Sequence, residues 1–145
     1  MCCMAGDEPG VVPMLSYVDG PAAMDWLAAA FGFEERERWL DEDGFLRHGE
    51  MSTGAGLVML ATPSPDYQSP LEHRAQCEST AAWSQVPWVI DGVLVYVEDV
   101  AAHIERARSA GATLLSSIES GPEGTRLYRV EDVEGHRWMF MQRAD

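Results

Sequence analysis

Tyr17-Val-Asp-Gly-Pro-Ala-Ala-Met-Asp-Trp-Leu-Ala-Ala-Ala-Phe-Gly32 and Tyr96-Val-Glu-Asp-Val-Ala-Ala-His-Ile-Glu-Arg-Ala-Arg-Ser-Ala-Gly111 run side by side at a constant offset of 79 residues, without a gap. Tyr, Val, an acidic residue, Ala-Ala, a later Ala and the closing Gly coincide. Each copy reads as a strand ending in an acidic turn, then a helix of about three turns, then a glycine. The acidic residue stands where a side-chain oxygen can take up an orphan amide of the helix start. The glycine suits the left-handed position just past the helix end.

Short strands follow each helix. In the first half they are expected at 33–39, 44–51 and 55–61, separated by Asp41-Glu-Asp-Gly44 and Ser52-Thr-Gly-Ala-Gly56 turns. In the second half they are expected at 113–118, 126–131 and 137–142, separated by Glu119-Ser-Gly-Pro-Glu-Gly124 and Asp132-Val-Glu-Gly-His136. Both halves are therefore β-α-β-β-β. A curved four-stranded sheet with one helix behind it cannot bury both faces alone, so two such units should combine.

The 63–91 stretch between the halves is longer than an ordinary connector. Pro63, Pro65 and Pro70 open it, Pro87 lies near its end, and 71–83 has helical character. It carries Tyr67, His73, Cys77, Trp83 and Trp88 and reads either as a packed linker or as a lid.

With 145 residues the chain has the length of one domain, expected to span 1–145 with module one at 11–62 and module two at 92–142. Its net charge of −14 argues against nucleic acid, which needs a basic stripe. The longest apolar runs are strand-sized, which argues against a membrane span. The start, MCCMAGDEPG, has neither the basic nor the apolar region of a secretory signal, so the expected compartment is the cytoplasm. Cys2 and Cys3 at an expectedly frayed terminus, with a single Cys77, form no disulfide framework. All ten cations are arginine, and the absence of lysine excludes Schiff-base chemistry and a phosphate-loop lysine.

The tandem β-α-β-β-β plan resembles the vicinal oxygen chelate superfamily, which includes glyoxalase I, extradiol dioxygenases and the fosfomycin- and bleomycin-resistance proteins. The resemblance covers about 12–142. Its most specific piece is Glu131-Asp-Val-Glu-Gly-His-Arg-Trp138, similar to the superfamily's acidic turn before the last strand. The resemblance implies an α+β fold in which tandem β-α-β-β-β modules form curved mixed sheets around a cleft, and a homodimer.

In the superfamily's metalloenzymes, His, Glu or Gln ligands come from the first and last strand of each module. Carried over, these positions fall at Val12 or Pro13, near Leu60, at Gly92 and at Met139. None offers a carboxylate, imidazole or thiolate. The methionine sulfur suits only a soft ion such as copper(I). The windows 11–16, 58–62 and 137–141 contain no His, Glu, Asp, Gln or Cys, and Asp91 is the only donor beside the Gly92 position. The expectation is therefore no metal and no cofactor.

Strand alternation then nominates the lining of the cleft. Met14, Leu94, Tyr96, Arg137, Met139 and Met141 are expected to face inward, with Trp138 and Phe140 toward a helix. His48 and Glu50 alternate on one strand and read as a hydrogen-bonded pair able to act as a base, or as a surface pair on an edge strand. Arg126 and Tyr128 alternate after a glycine-rich loop, placed to hold an anionic or aromatic ligand, unless Arg126 pairs with a surface carboxylate. His48, Glu50 and Tyr128 are the catalytic candidates. His73 and Cys77 share a helix face, either as a Cys–His pair or with Cys77 simply packed. His103 is expected on a solvated helix face, and His136 in a turn. Trp26, Phe31, Met24 and Leu27 form the first helix's buried stripe.

The functional expectation is a metal-independent binding protein for a small, partly apolar or aromatic molecule, similar to bleomycin-resistance proteins. The alternative is a glyoxalase-like lyase, isomerase or dioxygenase with a displaced or metal-free site. The −14 charge would favour a cationic ligand, or serve solubility alone.

Overall fold

Asp19 and Asp99 open the two long helices. Asp19 accepts a hydrogen bond from the Ala22 amide at 3.1 Å, and Asp99 accepts one from Ala102 at 3.0 Å. The helix starts of the two copies are thus out of step by one residue, because Asp99 caps where the repeat aligns Glu98 with Asp19. In this computed structural model, which describes residues 9–88 and 90–145, helix α1 spans Gly20–Phe31 and helix α4 spans Val100–Ser109. The terminal pair Cys2 and Cys3 lies outside the described residues. Gly32 ends α1 at φ 76°, in the left-handed region the repeat predicted for it.

Module one adds β1 (Met14–Ser16), β2 (Glu34–Leu40), β3 (Leu46–Ser52) and β4 (Leu57–Ala61), in the order β1-β4-β3-β2. Module two adds β5 (Gly92–Tyr96), β6 (Thr113–Leu114), β7 (Glu119–Ser120), β8 (Arg126–Glu131) and β9 (Arg137–Gln142), in the order β5-β9-β8-β6, with β7 also on β8. In both sheets the first strand runs parallel to the last, and the remaining pairs are antiparallel. The fold is α+β, two mixed sheets built on one plan.

The helix-side faces of both sheets share a single core. Met24, Leu27 and Phe31 of α1 are buried with Leu46, Met51 and Leu60 of the first sheet, and with Trp138 and Phe140 of the second. The Phe31 ring meets Phe140 edge-on at 4.7 Å and Trp138 at 5.6 Å. Gly20 is required at the head of α1, because a Cβ there would fall 2.3 Å from the Leu46 Cβ. His103 is not solvated as its helix position suggested. Its Nε2–H donates to the Phe31 carbonyl at 3.0 Å, leaving Nδ1 to accept from the Tyr128 hydroxyl at 2.6 Å.

The 131–138 turn stitches the modules together. Asp132 Oδ2 accepts from the Tyr17 hydroxyl at 2.6 Å and from Trp138 Nε1 at 3.0 Å, while Oδ1 accepts the Glu134 and His136 amides. Glu134 in turn accepts from the Val18 and Asp19 amides at 2.7 and 2.9 Å. Nε2 of His136 donates to the Ser16 carbonyl at 2.7 Å. Burial raises the Tyr17 and Glu134 pKa values; the Asp132 carboxylate adds to both.

The connecting segment holds two short helices, α2 (Pro70–Gln76) and α3 (Glu78–Trp83), broken at the extended Cys77. It is docked on module two. Arg74 makes two hydrogen bonds to Glu131, at 2.6 and 3.1 Å, and Arg137 donates to the Ser84 and Val86 carbonyls.

Candidate functional site

Pairing fixes which residues face away from the core. In module two, Gly92, Leu94 and Tyr96 lie beside Arg137, Met139 and Met141 of β9, which lie beside Glu131, Arg129 and Leu127 of β8. This outward face is concave, and it carries a cavity of about 220 Å3. Leu94, Leu115, Met139, Trp88 and Arg129 line it, so residue 88 of the connecting segment closes one side. In module one the equivalent face carries Met14, Ser16, Met59 and Ala61 with His48 and Glu50. A second cavity of about 170 Å3 opens there against Met14, Met59 and His48.

The structure sorts the predicted residues. Met14, Leu94, Tyr96, Met139 and Met141 are on the cup faces, with Met14, Leu94 and Tyr96 exposed and Met141 buried. Arg137 is on the cup face, but its guanidinium is consumed internally by Glu131, Ser84 and Val86. Arg126 and Tyr128 lie on the opposite face of β8, a correction forced by the pairing of Arg129 with Met139. Tyr128 is fully buried against Phe140 and bonded to His103, and burial raises its pKa. Neither reaches the cup. The cup-facing arginine of that strand is Arg129, which sequence reasoning passed over. The register against β9 would have found it.

His48 and Glu50 do pair, with His48 Nε2 2.9 Å from Glu50 Oε1, and on the concave face of the inner strand β3 rather than on an edge. Glu37 of β2 stands directly opposite Glu50 and lies 3.8 Å from His48, adding a third donor that sequence reasoning missed. Trp39 sits across from His48 with ring centroids 5.7 Å apart. This arrangement can hold a proton or orient a polar group of a ligand.

The superfamily's metal positions do not fit a metal. Gly92 and Met139 are on the cup face as expected. Leu60 is buried in the core, so the strand presents Met59 and Ala61 instead, and neither is an oxygen or nitrogen donor. Asp91 is exposed beside Gly92. His73 and Cys77 belong to the outer linker, where hydrogen bonds to Ser79 and Thr80 lower the Cys77 pKa to about 7.

The profile of the Glyoxalase/Bleomycin resistance protein/Dioxygenase superfamily matches residues 12–140. The chain belongs to that superfamily. The chain is similar to TioX from Micromonospora sp. ML1, with 31% identity, a TM-score of 0.67, and coverage of 94% of this chain and 98% of that one. It is also 30% identical over 139 residues to the uncharacterized Mycobacterium tuberculosis protein Rv0887c, covering 93% of this chain and 75% of that one. The fosfomycin resistance protein FosX from Listeria monocytogenes shares the fold at a TM-score of 0.62, with 10% identity and 94% of each chain covered. Among the described residues no helix is long and apolar enough to cross a membrane.

Proposed function

We propose that this superfamily member is a metal-independent binding protein that holds a small, partly apolar or aromatic molecule, acting as a homodimer in the cytoplasm. The observation that carries the reading is the module-two cavity. Its wall is apolar where the metalloenzymes of the superfamily carry ligands, with Gly92 and Met139 at two of those positions. A concave, mainly apolar wall with few polar groups is what an organic ligand requires, and methionines adapt to its shape. The homodimer is supported by large apolar side chains left open on both cup faces: Met14 is 81% exposed, Trp39 60%, Tyr96 45% and Leu94 44%. A second copy laid over them would turn two open cups into enclosed ones.

A second reading, an enzyme with a displaced site, draws on Glu37, His48 and Glu50, whose donor atoms lie within 4.8 Å of one another. Elemental analysis of the purified protein separates the two. The expected result is substoichiometric metal together with an upward melting shift in a screen of aromatic metabolites and cationic aromatic antibiotics, since a ligand of the native state raises its melting point. A stoichiometric transition metal lost on mutation of His48 or Glu50 would overturn the metal-free reading in favour of the enzyme.

A further inference from the structure

Two arginines line the module-two cavity, and their donors are used very differently. Arg137 has every nitrogen engaged, with Nε on Glu131, Nη1 on the Val86 carbonyl and Nη2 on the Ser84 carbonyl. Among the described residues Arg129 has one acceptor, Glu119, at 3.0 Å from Nη1, and its buried Nε has no partner. A guanidinium carries five N–H donors, so most of this fork is unused. Its side chain is 22% exposed, open enough to be met from the cavity, whereas Glu119, which stands beside Leu127 on the same face of the sheet, is 44% exposed. The Glu119 pair is therefore a weak competitor, because solvent-facing ion pairs contribute little.

Among the described residues the rest of the wall brings no counter-charge to it. Leu94, Leu115, Met139 and Trp88 surround the space in front of Arg129, and Glu131 on the same face is already shared between Arg74 and Arg137. We propose that Arg129 selects the ligand of this cavity, which is an aromatic or apolar carboxylic acid whose carboxylate docks on the guanidinium while its hydrocarbon part lies against Leu94 and Met139. This rests on the reading of the cavity as a ligand site and gives that ligand its charge. The planar fork of arginine matches two carboxylate oxygens, and such charge-assisted bonds exceed neutral ones. The −14 net charge points the other way, toward a cation. It acts at long range through screening solvent, while Arg129 acts in contact within an apolar enclosure, so the local group decides.

Isothermal titration of the full chain with 2-naphthoate, 2-naphthamide and 2-naphthylmethylamine tests this. Naphthoate is expected to bind at least about tenfold more tightly than the amide, as a charged hydrogen bond would give. Arg129→Gln should erase that preference while leaving the amide affinity in place. Glu119→Gln, which removes only the competitor, should strengthen naphthoate binding. Equal affinity for acid and amide, preference for the amine, or an acid preference that survives Arg129→Gln would each overturn the proposal while leaving the cavity as a ligand site. If none of the three probes binds the wild-type chain, the cavity reading falls, and the role of Arg129 with it.

Discussion

His103 shows how one side chain can tie two halves of a chain together and leave a titration signature. It reaches from α4 to the Phe31 carbonyl at the end of α1 and to the Tyr128 hydroxyl on β8, with its ring 4.0 Å from that of Phe140. Burial lowers its pKa, with nearby Arg106 adding to the effect against the Phe31 hydrogen bond. The folded chain therefore resists a proton that the unfolded chain accepts below the ordinary value of about 6.5. Stability from this residue is complete above that value and is lost as pH falls through it toward the lower folded pKa. In urea denaturation at pH 8, 7, 6 and 5, His103→Gln should lose less stability than wild type on going from the higher pH to the lower. Parallel curves would show that the buried ring is not the group titrating. At this scale the sequence was least legible. Alternation along β8 is plain in Arg126-Leu-Tyr-Arg129, but both faces of that strand bury residues, so alternation alone could not say which set met the helix. The pairing with β9 decides it, sending Tyr128 to the core and Arg129 to the cavity.

Elements were far more legible. The bounds expected for β8 and β9 coincide with those observed, because glycine-rich turns frame both and the pattern between them is dense in strand formers. The repeat at offset 79 placed both long helices and their closing glycines. The connecting segment was harder, since α2 buries no residue and so offers no apolar stripe to read. What holds that segment is an ion network: Arg74 on α2 and Arg137 on β9 both bind Glu131, whose side chain is almost fully buried. Removing Arg74 leaves Glu131 still paired with Arg137. Neutralising Glu131 leaves the buried Arg137 without a counter-ion, which costs about 3–5 kcal/mol when a buried pair is broken from one side. Arg74→Gln should thus lower global stability by less than that, yet speed hydrogen exchange across residues 70–88. Glu131→Gln should lower the unfolding free energy several times more. Equal costs for the two variants would show that Arg137 is held by the Ser84 and Val86 carbonyls alone.

At the scale of the whole molecule two properties oppose each other. Apolar side chains on both concave faces favour covering by a second copy, while a charge of −14 on each copy repels it. Hydrophobic contact is short-ranged and indifferent to modest salt, whereas the repulsion between two like-charged surfaces is screened over about 10 Å at 0.1 M ionic strength. Salt should therefore strengthen self-association, the reverse of its effect on a dimer held by ion pairs. Sedimentation at about 0.02 M and about 0.3 M salt should show the dimer fraction rising with ionic strength, because the screening length contracts several-fold between them. Met14→Asp and Trp39→Asp each put a further negative charge into the apolar patch on the module-one face, so both should shift the chain toward monomer at either salt concentration. The patch is open to solvent in the single chain, so these variants should keep their melting temperature at protein concentrations too low for association. Dimers that weaken with salt, or that survive both substitutions, would place the interface elsewhere. A chain monomeric under every condition would leave the cups open and the binding site confined to one module.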